Sequence, residues 1–310
     1  MSTSTVTQQP APHSALRRLV ARHPLVAFWV LLYAGAWLVY LPLVLSQDGI
    51  GLLPFSMPFP VLLFNLPASL AGPTLAAFIL TAVTSGKPGV RQLLRRIVQW
   101  RVGVQWYLLV FLGLPVVALL GTTVWLGVAP LKALIPQWPM IFSAYLTDIL
   151  LIAILVTLWE ETGLMGFALP RLQQMYGALL GSAILGPLWV VMHLPAFFVP
   201  AMGVVSGEAL TLDSLIFTML LLALLSIPMR IIMTWLFNNT RGSLIIVTLF
   251  HAVMNSTQSQ LSRLIPGYNS IHLYLALGVC AVLLIVLTRG RLSYQPNHVS
   301  QIADAQLTKE

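Results

Sequence analysis

Two adjacent carboxylates, Glu160 and Glu161, stand near the end of a long apolar run, and two histidines, His193 and His251, lie on later apolar runs. The chain has only eight acidic residues among 310. A carboxylate in hydrocarbon costs roughly 2.5–3.5 kcal/mol on insertion scales, so two together point to a functional centre facing the interior of a helix bundle. Asn255 follows His251 by four residues, on the same helix face one turn deeper. A carboxylate, two imidazoles and a carboxamide at one locus can activate a water and stabilise an oxyanion. A desolvated glutamate is a good general base near neutral pH, and a histidine can orient the water with it. A second histidine and an amide N–H can donate to a tetrahedral intermediate. Glu160, His193 and His251 could equally hold a divalent metal such as zinc as a two-His, one-carboxylate site. Spacing leaves both plans open, so the expected cofactor is either none or such a metal. Other hydrolytic plans are missing: the sequence has neither His-Glu-x-x-His nor Gly-x-Ser-x-Gly. Asp148 has no intramembrane aspartate to pair with, and a polar group on a neighbouring span is expected to satisfy it.

Composition says what must carry these groups. Hydrophobic residues make up 58% of the chain and charged residues 8%. So few charges cannot cover a soluble surface, and lipid is the solvent for most of the chain. The net charge of +8 does not indicate a nucleic-acid partner, because the basic residues lie between apolar runs. They read as topology determinants. The single cysteine, Cys280, can form no internal disulfide and reads as an inert thiol in an apolar run. The fold class is therefore all-α: a polytopic membrane protein with about eight spans, each of about 20 residues. A disordered N-terminus is expected over residues 1–22, a helical membrane domain over 23–291 and a cytoplasmic tail over 292–310.

The spans are expected at 24–46, 58–84, 104–129, 141–167, 178–198, 215–237, 243–261 and 271–287. Residues 87–101 place arginines and apolar residues at helical spacing, as in an amphipathic helix lying on anionic lipid. Arg171 falls in a short loop after the fourth span, and Glu208 and Asp213 in a loop before the sixth. With both termini inside, every Lys and Arg but Lys132, Arg263 and Arg230 of the sixteen is cytoplasmic, which fixes the orientation. Glu160 and His251 then each lie about two turns, near 11 Å, from the cytoplasmic ends of their spans. His193, counted from Ala178, lies some four turns in.

At this point the motifs resemble a family. The order Glu160-Glu161 … Gly166-Phe167-Ala168-Leu169-Pro170-Arg171-Leu172, then Trp189-x-x-x-His193-Leu194-Pro195, then His251-x-x-x-Asn255 is similar to that of the CAAX-protease and bacteriocin-processing (CPBP, or Abi) intramembrane endopeptidases, over a core of about 141–261. Trp189 stands where that family usually has Phe. The resemblance implies Glu160 as the water-activating base with His193, and His251 with Asn255 as oxyanion stabilisers. It also implies a membrane-proximal peptide substrate, lipidated or not, and a multi-pass protein of a bacterial cytoplasmic membrane. There is one departure: Met165 occupies the place of the motif arginine, four residues after Glu161, where an i,i+4 ion pair would form. Glu161 is then either held neutral by desolvation or paired with Arg230, an otherwise unpaired arginine of the sixth span. Two other functions stay open. One is a silent family member acting as a binding or bacteriocin-immunity protein, which Met165 favours. The other is a proton-coupled transporter, which the lack of internal repeats disfavours.

Overall fold

The computed structural model describes residues 15–56, 62–199 and 211–295. Among them every regular element is a helix. In chain order these are α1 (Ala15–Arg22), α2 (Pro24–Leu45), α3 (Leu62–Ser69), α4 (Leu75–Ile97), α5 (Val104–Leu108), α6 (Leu114–Leu126), α7 (Ala129–Leu134), α8 (Trp138–Ile152), α9 (Leu158–Gly163), α10 (Leu169–Met192), α11 (Leu212–Asn239), α12 (Leu244–Leu264) and α13 (Ile271–Thr288). Short π turns join α3 to α4, α5 to α6, α8 to α9 and α9 to α10. The protein is a polytopic membrane protein; among the described residues, six helical stretches are long and apolar enough to cross a bilayer.

The eight expected spans fall on these six stretches and on α12, the fourth and fifth sharing one stretch. Residues 143–192 run as one 50-residue stretch, bent where Gly177 takes φ 78°, ψ 170°. The α12 helix misses the apolar criterion because Asn255-Ser256-Thr257-Gln258-Ser259-Gln260 occupies its second half. Ala15–Arg22, expected to be disordered, is a short helix packed on α2 and α4. Residues 1–14, 57–61, Glu208 and 296–310 lie outside the described residues.

The fourth span also runs further than the sequence suggested. Pro170, in the first turn of α10, has no N–H for the carbonyl four residues back. Here that carbonyl, Gly166 O, accepts instead from Arg96 Nη1 at 3.2 Å. The helix therefore continues through Arg171, which lies in helix rather than in a loop and stacks its guanidinium 3.6 Å over the Phe167 ring. Residues 87–97 are helical, as the amphipathic pattern indicates, and Gly86 at φ 61° separates them from the first leg of α4.

At the centre, α9 is bracketed by two π turns, Ala153–Thr157 and Leu164–Ala168. Such turns are frequent at functional sites. A third π turn, Leu70–Thr74, packs on α9 from the second span. Thr74 Oγ1 donates to Trp159 O at 2.6 Å. The approach is close because residue 163 has no side chain: a Cβ there would lie 2.5 Å from Pro73 O. Gly163→Ala is therefore expected to lower the thermal unfolding midpoint in detergent by the equivalent of about 1–3 kcal/mol of overpacking. Gly278→Ala, at a position with no atom within 4 Å of the added carbon, should leave that midpoint unchanged.

Candidate active site

Glu160 and Glu161 occupy consecutive positions of α9, about 100° apart around its axis, and so face different neighbours. Both are buried, Glu161 completely and Glu160 to 4% exposure. Glu161 faces α11 and α12. Its carboxylate accepts from Arg230 Nη1 at 2.7 Å on Oε2 and 2.9 Å on Oε1. His251 Nδ1 lies 2.7 Å from Oε1. Arg230 and His251 are as deeply buried as their partner. The cation opposite Glu161 therefore comes from α11, and Met165, fully buried, fills the place of the motif arginine with apolar volume.

Glu160 faces the second leg of α10. Its Oε2 accepts from the Trp189 indole N–H at 3.1 Å, and its Oε1 lies 3.9 Å from His193 Nε2. His193 Nδ1 is 3.2 Å from Trp189 O. A carbonyl only accepts, so Nδ1 carries the hydrogen and neutral His193 presents a lone pair at Nε2. A gap of 3.9 Å is too long for a direct hydrogen bond and leaves both atoms within reach of one water seated beside them. The His193 side chain is 32% exposed, so it lies at the open edge of the centre.

The meeting of Glu160 and His193 resolves the mismatch in depth. With the helix continuing past Phe167, Glu160 lies sixteen residues before Tyr176, about 24 Å along the axis. His193 lies fifteen residues beyond Ala178, about 22 Å. The two legs that meet at Gly177 are thus nearly equal, and His193 ends the second one as the C-cap of α10. Aromatic groups of α2 fix that end. Tyr33 OH donates to Leu188 O at 2.9 Å, and Trp37 Nε1 to Met192 O at 3.2 Å.

Asn255 lies one turn beyond His251 on α12, is half-buried, and has no hydrogen-bond partner among the described residues. Asp148 is satisfied from α12, accepting from Gln260 Nε2 and from Arg263 Nη2, the latter at 3.2 Å. The sequence reading passed over Trp189 as a donor. The signal was available: a tryptophan on a buried helix face needs an acceptor for its N–H, and one turn before His193 it shares that residue's face.

The atoms best gathered for a metal belong to Glu160, Glu161 and His251, all within 4.8 Å of one another. His193 is not in that set, which differs from the expected trio. The set also fits a cation poorly, because the Arg230 guanidinium already neutralises Glu161 and His251 is already hydrogen-bonded to it.

Residues 141–257 match the family model of the type II CAAX prenyl endopeptidases, Rce1-like. The matched segment contains every residue of the centre. A relative in Methanococcus maripaludis, named CAAX prenyl protease 2, is 31% identical over 121 residues. That alignment covers 39% of this chain and 43% of the relative.

Removing one member of a buried ion pair strands the other. Arg230→Met is expected to destabilise the protein by about 3–5 kcal/mol, read as a lower unfolding midpoint in detergent. Met165→Arg alone adds a second buried cation beside Arg230 and should also lower the midpoint. The double variant, Arg230→Met with Met165→Arg, returns one cation to the motif position and should recover much of the loss.

Proposed function

We propose that this multi-pass membrane protein, with its Rce1-like central segment, is an intramembrane endopeptidase that hydrolyses a peptide bond with a water activated by Glu160. The observation that carries the reading is the division of labour between the two glutamates. One is locked into an ion pair, and the other is left with an oxygen 3.9 Å from a histidine nitrogen, near enough for one water seated beside them to reach both.

In the proposed reaction a water donates one hydrogen to Glu160 Oε1 and the other to His193 Nε2. Its oxygen lone pair is then free to attack the scissile carbonyl carbon as Glu160 takes the proton. The carbonyl π electrons move to its oxygen. His251, with Nδ1 on Glu161, is stabilised by that carboxylate when it carries a second N–H at Nε2, and this N–H donates to the oxyanion. The Asn255 amide, one turn on, is the second donor. Collapse of the intermediate breaks the C–N bond, and Glu160 returns its proton to the leaving amine. No step of this reaction runs through a metal; the donor cluster within 4.8 Å among the described residues includes Glu161, whose cation is Arg230. Met165, which favoured a silent binding protein, loses that weight once Arg230 serves Glu161.

The substrate class is a membrane-proximal peptide, lipidated or not, with the lipid bilayer as the medium. We place the reaction on the cytoplasmic side of a bacterial cytoplasmic membrane. Supporting this, Arg96, Arg101, Arg171 and Arg241 gather at one end of the bundle: Arg241 Nη2 donates to Arg101 O at 2.6 Å, and Arg171 Nη2 to Thr84 Oγ1 at 3.3 Å.

Mass spectrometry of a pool of membrane-proximal and prenylated peptides, incubated with the protein in liposomes, tests the reading. Wild type should cleave at least one peptide. Glu160→Gln should reduce turnover by three orders of magnitude or more while keeping the unfolding midpoint, and a chelator should leave the rate unchanged. Cleavage that survives Glu160→Gln removes the mechanism, and chelator sensitivity restores the metal.

A further inference from the structure

We propose that Trp189 is a positioning residue with two tasks, orienting the Glu160 carboxylate through its indole N–H and seating the Arg230 cation through its ring face. The first task rests on the reading of Glu160 as base; the second does not.

Trp189 is the one side chain, among the described residues, that touches all four ionisable groups of the centre outside Glu161. Its Nε1 donates to Glu160 Oε2 at 3.1 Å. Its ring meets His193 edge-on at 4.7 Å and His251 edge-on at 5.6 Å between centroids. The Arg230 guanidinium carbon lies 4.8 Å from its centroid.

The two oxygens of Glu160 are not equivalent in this arrangement. A carboxylate with no directional partner rotates about its last bond and offers either oxygen to a water. The indole N–H ties Oε2 and leaves Oε1 toward His193. The carbonyl of the same tryptophan holds His193 Nδ1, so one residue fixes both groups that would hold the water. A phenylalanine, the family's usual residue here, has no N–H and cannot do this.

The ring face answers a second need. Arg230 reaches Glu161 with Nη1 alone, and its Nε and Nη2 are buried with no hydrogen-bond partner. Such orphaned donors are unfavourable, and the electron-rich indole face is the compensating contact for the guanidinium. A cation on the motif position would approach Glu161 from within its own helix. A cation arriving from α11 lies against α10, where residue 189 stands. The two departures from the family pattern, methionine at 165 and tryptophan at 189, are thus linked through Arg230.

Three variants separate the tasks. Trp189→Phe keeps a ring and loses the N–H. It should lower kcat tenfold or more with KM within about twofold of wild type, and leave the unfolding midpoint nearly unchanged. Trp189→Leu loses both and should lower the midpoint as well. In the Arg230→Met, Met165→Arg background, where the α11 cation is gone, Trp189→Leu should cost the midpoint less than it does in wild type. In parallel, nitrogen-15 labelling of the nine tryptophans gives an indole resonance that Trp189→Phe removes. That resonance should lie downfield, as for a carboxylate-bound N–H, and should move in Glu160→Gln. If wild type cleaves no peptide in the pool, the peptidase reading fails and the resonance alone decides the orienting task. An indole signal at the unbonded position that Glu160→Gln does not move overturns that task. Equal midpoints for Trp189→Leu and Trp189→Phe overturn the seating of Arg230.

Discussion

An acid inside a membrane protein must find a cation or give up its charge, and the Glu161–Arg230 pair is how this chain meets that requirement. The pair is fully buried, with 2.7 Å between Nη1 and Oε2. Its attraction offsets the desolvation of two ions, so it is weak evidence for net stability. Its consequence is geometric. With Glu161 committed to α11 and α12, three helices are pinned at one depth, and His251 is held by the same carboxylate. The other polar groups of the centre are arranged around a carboxylate that is already fully paired.

Much of this was legible in the sequence because polar residues are so rare in it. When 58% of the residues are hydrophobic, each buried Glu, His or Arg stands out, and the question of what pairs with it has few answers. The candidate Arg230 partner emerged in that way: the motif cation was missing, and one arginine lay within a span. The fate of Asp148 could be read by the same reasoning, and it is met by Gln260 and Arg263 of α12.

What could not be read depended on tertiary contacts that override local rules. Pro170 leaves the carbonyl four residues back without its helical donor, and Arg96, some seventy residues earlier, satisfies that carbonyl. Without that contact the fourth span was cut short, Arg171 was assigned to a loop, and His193 lay too deep to meet Glu160. The division of the chain into spans depends on tertiary contacts for a related reason. Hydropathy sees the polar second half of α12 and the unbroken run from 143 to 192. It does not see that the bend at Gly177 folds that run into two legs, or that the polar half of α12 faces protein: Ser256, Thr257 and Gln260 are all buried.

Two carboxylates placed side by side on a helix might be expected to share one proton, as close acidic pairs do. Successive residues on a helix diverge by about 100°, and here each side chain meets a different neighbouring helix. Glu161 turns toward the arginine of α11 and the histidine of α12; Glu160 turns toward the tryptophan and histidine of α10. Adjacency in sequence therefore gives equal depth without equal surroundings. The π turns on both sides of α9 reinforce this, since each shifts the helical register and aims the intervening turn independently of its flanks. A single turn of helix thus carries one carboxylate committed to holding the bundle together and another that faces the histidine of the open edge. That asymmetry is the basis of the hydrolytic role proposed for Glu160.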